Sequence, residues 1–130
     1  MGYTNYWYQK RDFTNQEWEK ITDYYWDNLY YHDQKNSEDG GGQSIDHQLV
    51  DNDYLIFNGK KPYETFVLRK YLPKEPRYKG DDITFHFCKT AKLPYDAIVW
   101  EILTFIKYKL FKDDENFTIT NDFLQSGWTK

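Results

Sequence analysis

The amino-acid sequence predicts a single α+β domain, with two helices packed on one face of an antiparallel sheet. Three observations lead there. Two segments, Trp18 to His32 and Tyr95 to Phe111, repeat apolar side chains at helical spacing. Several other segments are short, β-prone and bounded by turn residues. At 130 residues the chain has the length of one domain, enough to bury a core without staples.

The first segment, GYTNYWYQ, reads as a strand, with Tyr3, Asn5 and Trp7 on one face and Thr4, Tyr6 and Tyr8 on the other. FTNQEW then opens a helix. Thr14 is the cap, Glu17 completes a capping box, and Phe13 and Trp18 take the staple positions. The apolar stripe runs through Trp18, Ile21, Tyr25, Leu29 and His32, opposite Glu19, Asp23 and Asp27. A mobile loop is expected over about 33–46, where three consecutive glycines lack the Gly-Lys-Ser/Thr ending of a phosphate cradle.

DYLIFNGKKPYETFVLRKYL reads as two strands joined near Asn58-Gly59, in a turn that Lys60, Lys61 and Pro62 lengthen. PKEPRYKGDD is an exposed connection. ITFHFC alternates, with Ile83, Phe85 and Phe87 facing one way and Thr84, His86 and Cys88 the other. Pro94 suits the first turn of the second helix, whose wide apolar face predicts packing on a sheet. ENFTITNDF reads as a last strand, and Trp128 in the tail is expected to dock. Five strands and two helices in the order β, α, β, β, β, α, β make a ferredoxin-like βαββ(β)αβ arrangement if the fourth strand is peripheral.

Composition narrows the function. Aromatic residues make up 21% of the chain, more than a core of this size needs, so some rings are expected at the surface, where flat ligands or a protein partner would use them. A Tyr-rich core is the competing account. The net charge of −4 argues against duplex nucleic acid as partner. Residues 60–92 nevertheless carry nine basic and four acidic side chains, a local surplus suited to a small anion. The sole cysteine, Cys88, rules out an internal disulfide and a Cys zinc cluster. His32, His47 and His86 show no metal-ligand spacing, so no metal and no cofactor are expected. With no signal-peptide pattern and no apolar run of membrane-spanning length, a cytoplasmic location without membrane contact is expected.

The segment FHFCKTAKLPYD brings a strand end, Lys89, Thr90 and Lys92 to a helix N-terminus, where first-turn amides lack partners and the dipole is positive. These are the components of an anion site. Asp96 competes for the same amides. His86 and Cys88 share a strand face, but nothing around them marks a nucleophile pair, and a packed thiol is the plainer account.

MGYTNYWYQKRDFT, FNGKKPYETFVL and FCKTAKLPYD together resemble a family of small uncharacterised proteins of phages, plasmids and bacteria, with MGYTxYW, NG…ETF and FCKTxxxPYD motifs. The family usually has His after MGYT, where this chain has Asn5. The resemblance implies that Tyr3, Trp7, Glu64, Phe66, Cys88, Lys89, Thr90, Tyr95 and Asp96 line one shared site.

With His86 taken into the ligand-binding set in place of Cys88, nine residues in all, the expected function is a phage-type binding protein that sequesters a nucleotide-derived host immune signal. It would bind a small anionic nucleotide-like ligand in the host cytoplasm, in a homo-oligomer of the kind such binders form. The alternative is an inhibitor that binds a host defence or regulatory protein through Glu17, Glu19, Asp23, Asp27 and the tyrosines of the first helix. Below both stands a nucleotide-signal hydrolase, with His86 as base beside Lys89, Asp96 and Asp122.

Overall fold

The computed structural model describes residues 3–38 and 44–125. The chain is α+β. Its elements in order are β1 (Thr4–Gln9), α1 (Asn15–Tyr24), a π-helical stretch (Tyr25–Tyr30), α2 (Tyr31–Glu38), β2 (Ile45–Val50), β3 (Tyr54–Gly59), β4 (Phe66–Arg69), β5 (Phe85–Lys89), α3 (Asp96–Phe105), a second π-helical stretch (Ile106–Phe111), β6 (Phe117–Asn121) and the short α4 (Asp122–Gln125). The strands form two antiparallel three-stranded sheets, β5-β1-β6 and β2-β3-β4.

The first helix starts as its local chemistry dictates. Thr14 accepts from Glu17 N–H (3.1 Å), Glu17 Oε1 accepts from Thr14 N–H (2.8 Å), and Phe13 lies 5.9 Å from Trp18, ring to ring. Arg11 clamps Glu17 with two 2.9 Å bonds. Trp18, Ile21, Tyr25 and Leu29 are buried as the stripe requires, whereas His32 is exposed.

Of the loop expected over 33–46, residues 33–38 are helical and β2 begins at Ile45; residues 39–43, with the glycine run, and Trp128 lie outside the described residues. The strand β2, absent from the sequence reading, is anchored by the buried Asp33, whose carboxylate accepts from Ser44 N–H (2.8 Å) and Ile45 N–H (3.0 Å). The tight turn of this sheet is therefore Asp51–Asp53, where Asp51 Oδ1 accepts from Asp53 and Tyr54 N–H (both 2.8 Å). Asn58-Gly59 opens the longer loop that joins β3 to β4, as read from sequence, and Asn58 Oδ1 braces it by accepting from the Gly59 and Tyr63 amides.

The helices lie side by side on the inner faces of the sheets. Tyr24 stacks on Phe105 at 4.0 Å, joining the two. Tyr25 stacks on Phe57 of β3 at 5.4 Å, and its hydroxyl bonds Gln48 of β2. Phe13 meets Phe111 and Phe117 below the first sheet. Asn5, Trp7 and Gln9 face this core, so Tyr6 and Tyr8 face out. The cross-strand pairs Tyr6–Phe87 and Tyr8–Phe85 then place both phenylalanines of β5 on the outer face, and His86 and Cys88 on the inner one. Phe87 is 49% exposed and Cys88 fully buried.

Candidate functional site

Strand β5 passes through two different polar environments. At its C-terminal end the chain closes on itself. Thr90 N–H donates to Tyr3 C=O (2.9 Å), and Thr90 Oγ1 donates to Asp96 Oδ1 (2.6 Å). Asn5 Nδ2 donates to the same oxygen (2.7 Å). All three side chains are buried. Asp96 thus fills the first turn of α3, where an anion would otherwise sit. The turn that permits this holds Ala91 and Lys92 at φ 53° and 60°, the left-handed region that side chains disfavour. Lys92 Nζ lies 4.3 Å from the centre of the Tyr3 ring, so that cation is directed at the chain's own aromatic face. The Tyr3 phenol is raised in pKa by burial and then by nearby Asp96.

One step back along β5, Glu64 locks the two sheets together. Its N–H donates to Lys89 C=O (3.1 Å), and its Oε1 accepts from Lys89 N–H (2.8 Å). Tyr95, fully buried, donates its hydroxyl to Glu64 C=O (2.6 Å). Cys88 Sγ donates to the same carbonyl at 3.5 Å. Burial, then the Glu64 and Asp96 charges, push the Cys88 thiol up to about 12, so no thiolate is on hand at neutral pH.

Beyond this lock β4 and β5 part. A cleft of about 510 Å³ opens between them, lined on one side by Thr65, Val67 and Arg69 and on the other by Phe85, His86 and Phe87. The connection 73–83 contributes Arg77 and Tyr78 and three carboxylates, Glu75, Asp81 and Asp82. Trp7 lies at the floor, its ring 5.8 Å from His86 and stacked on it, and 5.3 Å from Phe66. His86 Nε2 is buried without a hydrogen-bond partner. Burial, and secondarily the Arg69 charge, lower the imidazole to about 4 against the weaker opposing pull of Asp82, so the ring is neutral at pH 7. Asp82 Oδ1 is occupied by Thr84 N–H (2.9 Å) and Oγ1 (2.7 Å). In a larger depression of about 640 Å³ beside α1, Trp18 Nε1 donates to Asp51 C=O (2.9 Å) and Lys70 Nζ bonds Asn15, while Glu19 and Asn52 also line it.

The nine residues picked from sequence fall into three groups strung along β5. Tyr3, Thr90 and Asp96 form the closed corner; Glu64, Lys89 and Tyr95 form the lock; Trp7, Phe66 and His86 pack at the cleft floor. Trp7 is 2% exposed, so no flat ligand stacks on a Tyr3/Trp7 pair. Sequence reasoning missed Asn5 as Asp96's partner, and missed Val67, Arg69, Phe85 and Phe87 as cleft walls. The alternation of ITFHFC held the signal for the last two, lacking only which face is outward. The residues imagined around a His86 base have other partners: Asp96 bonds Asn5 and Thr90, while Asp122 accepts from Thr4 N–H (2.9 Å) and the Tyr6 hydroxyl (2.7 Å). Among the described residues no His, Cys, Asp and Glu cluster is arranged to hold a metal, and no helix is long and apolar enough to cross a membrane.

Comparison with protein-family models, with curated proteins and with solved structures finds no match.

Proposed function

We propose that the chain is a binding protein that holds a small nucleotide-like ligand in the β4–β5 cleft and releases it unchanged. The observation that carries this reading is the His86 nitrogen, buried and unpartnered in a residue that lines a cleft with aromatic rings on the β5 side and, on the other, Arg69 and Arg77 among Glu75, Asp81 and Asp82. A buried polar atom without a partner costs about 1–3 kcal/mol, a cost that a bound ligand offsets. Phe85, Phe87 and Tyr78 offer ring faces to a base, and Arg69 and Arg77 suit a phosphate. Sequestration of a nucleotide-derived host signal, the role expected from the aromatic surplus and the local basic surplus, is the setting in which such a site would act. The anionic end then meets the arginines rather than Lys89.

Catalysis has less support. A neutral imidazole packed on Trp7 has no carboxylate bonded to it, and the Cys88 thiol is protonated. A protein partner is favoured by one different observation: Tyr8, Phe87 and Phe123 are exposed by 38%, 49% and 46%. The helical tyrosines named for that role are partly consumed, Tyr25 in the core and Tyr24 on Phe105.

The test is to purify the protein from cells, denature it, and analyse what it releases by mass spectrometry. An intact nucleotide-type compound approaching one per chain is the expected result. An empty release, with no thermal shift across a nucleotide panel, overturns the reading.

A further inference from the structure

The backbone hydrogen-bond pattern around the cleft specifies more than its lining does. Thr90 N–H donates to Tyr3 C=O, and Gln9 N–H to Thr84 C=O (both 2.9 Å). Even-numbered residues of β5 therefore turn their backbone groups to β1, and odd-numbered residues turn theirs away, because bonding direction alternates along a strand. Lys89 obeys this, spending both groups on Glu64. On β4, Lys70 N–H donates to Asp53 C=O (2.9 Å), so even residues face β3. Arg69 C=O faces the other way and accepts from Gln9 Nε2 (3.0 Å). By the same parity Val67 on β4 and Phe87 on β5 direct N–H and C=O away from their ladders toward the cleft, which His86 also lines.

The opening is short. Glu64–Lys89 closes one end and Gln9–Arg69 the other, so the gap spans residues 64–69 of the chain, roughly 17 Å of strand. An extended peptide inserted as an extra strand would have to run out through those closures. A flat ring need not. On the reading that the cleft holds a nucleotide-like ligand, we infer that it recognises the base by its pyrimidine edge: an adjacent donor and acceptor on the ring meet the paired C=O and N–H of Val67 or Phe87, above a floor formed by His86 and Trp7. Hydrogen bonding to the base edge beside aromatic side chains is how flat bases are read when taken out of a stack.

The experiment titrates ¹⁵N-labelled protein at pH 7 with three pairs of 5′-monophosphates: inosine and 1-methylinosine, uridine and 3-methyluridine, adenosine and N6,N6-dimethyladenosine. Methylation removes the edge donor and leaves ring and phosphate in place. The expected result is that at least one parent shifts the Val67 and Phe87 amide signals and binds about tenfold or more tightly than its methylated partner, the loss of a hydrogen bond that leaves a group unpaired. His86→Phe, which keeps a ring on Trp7, is expected to weaken that parent while leaving far-UV circular dichroism unchanged. Parent and methylated forms binding equally, with cleft signals shifting, would overturn the edge reading and leave the cleft as the ligand site. No shift of cleft signals with any of the six compounds overturns both.

Discussion

The two halves of strand β5 are opposites. From Lys89 to Asp96 most groups that look ready for a ligand are spent on the chain itself: Thr90 and the Asn5 side-chain N–H on Asp96, Lys89's backbone on Glu64, Lys92 on Tyr3; Asn5 Oδ1 stays buried without a partner and the Lys89 side chain is exposed. From Phe85 to Phe87 the strand keeps β1 on one side and has no strand bonded on the other, and a buried imidazole nitrogen goes without a partner. The first half has the denser motif, largely bonded to itself; the second has an unmet nitrogen together with an open strand edge. A polar motif marks a binding site only where its donors and acceptors are left over after folding. The same residue types, fully bonded, act as a clasp.

The largest expected effect lies in the clasp. Asp96→Ala leaves the buried Asn5 amide and Thr90 hydroxyl without their shared acceptor, at a cost of about 2–3 kcal/mol in urea unfolding. A variant of unchanged stability that loses its ligand would break the comparison, since Asp96 would then serve binding rather than closure. Gly59→Ala should follow. A Cβ there would stand 2.6 Å from Tyr95 Cδ1 and 2.9 Å from Lys61 C=O, and with Tyr95 tied to Glu64 the overlap costs about 1–3 kcal/mol. Full stability in that variant would show the lock to be slack.

A smaller effect separates the halves by pH. The His86 imidazole drops from 6.5 when unfolded to about 4 in the fold. The unfolded chain therefore takes up this proton first, and stability, complete above about pH 6.5, declines as pH falls from there through about 4. Glu17, held low by the Arg11 bonds, also loses stabilisation in acid, so the readout is the difference between wild type and His86→Phe. The wild type should weaken more steeply between pH 6.5 and 4. Parallel curves would mean that the imidazole is solvated and the cleft floor is not dry.

What was legible in sequence follows from how local each cause is. The Thr14–Glu17 box and the Phe13–Trp18 contact are set within a few residues, and both are found as read. The class follows from periodicity. The strand β2 escaped notice because IDHQLV carries little alternation; it exists through pairing with β3 and the anchor from Asp33, eleven residues upstream of Ser44. Period two separated Phe85 and Phe87 from His86 and Cys88, but not inside from outside, and apolar rings turned outward defy the usual assignment. The open edges of Val67 and Phe87 were out of reach altogether. Backbone groups are the same in every residue, and only the divergence of two sheets leaves these unused.

The most direct test compares ligand content across the two halves of β5. Wild type, His86→Phe, Arg69→Ala and Lys89→Ala are purified side by side, checked for folding, and denatured for quantitative mass spectrometry. The account predicts that Lys89→Ala, altered only in an exposed side chain whose backbone carries the lock, retains the wild-type amount of bound compound, whereas His86→Phe and Arg69→Ala lose most of it. Loss in Lys89→Ala with retention in the two cleft variants would contradict it, and would return the site to the helix N-terminus.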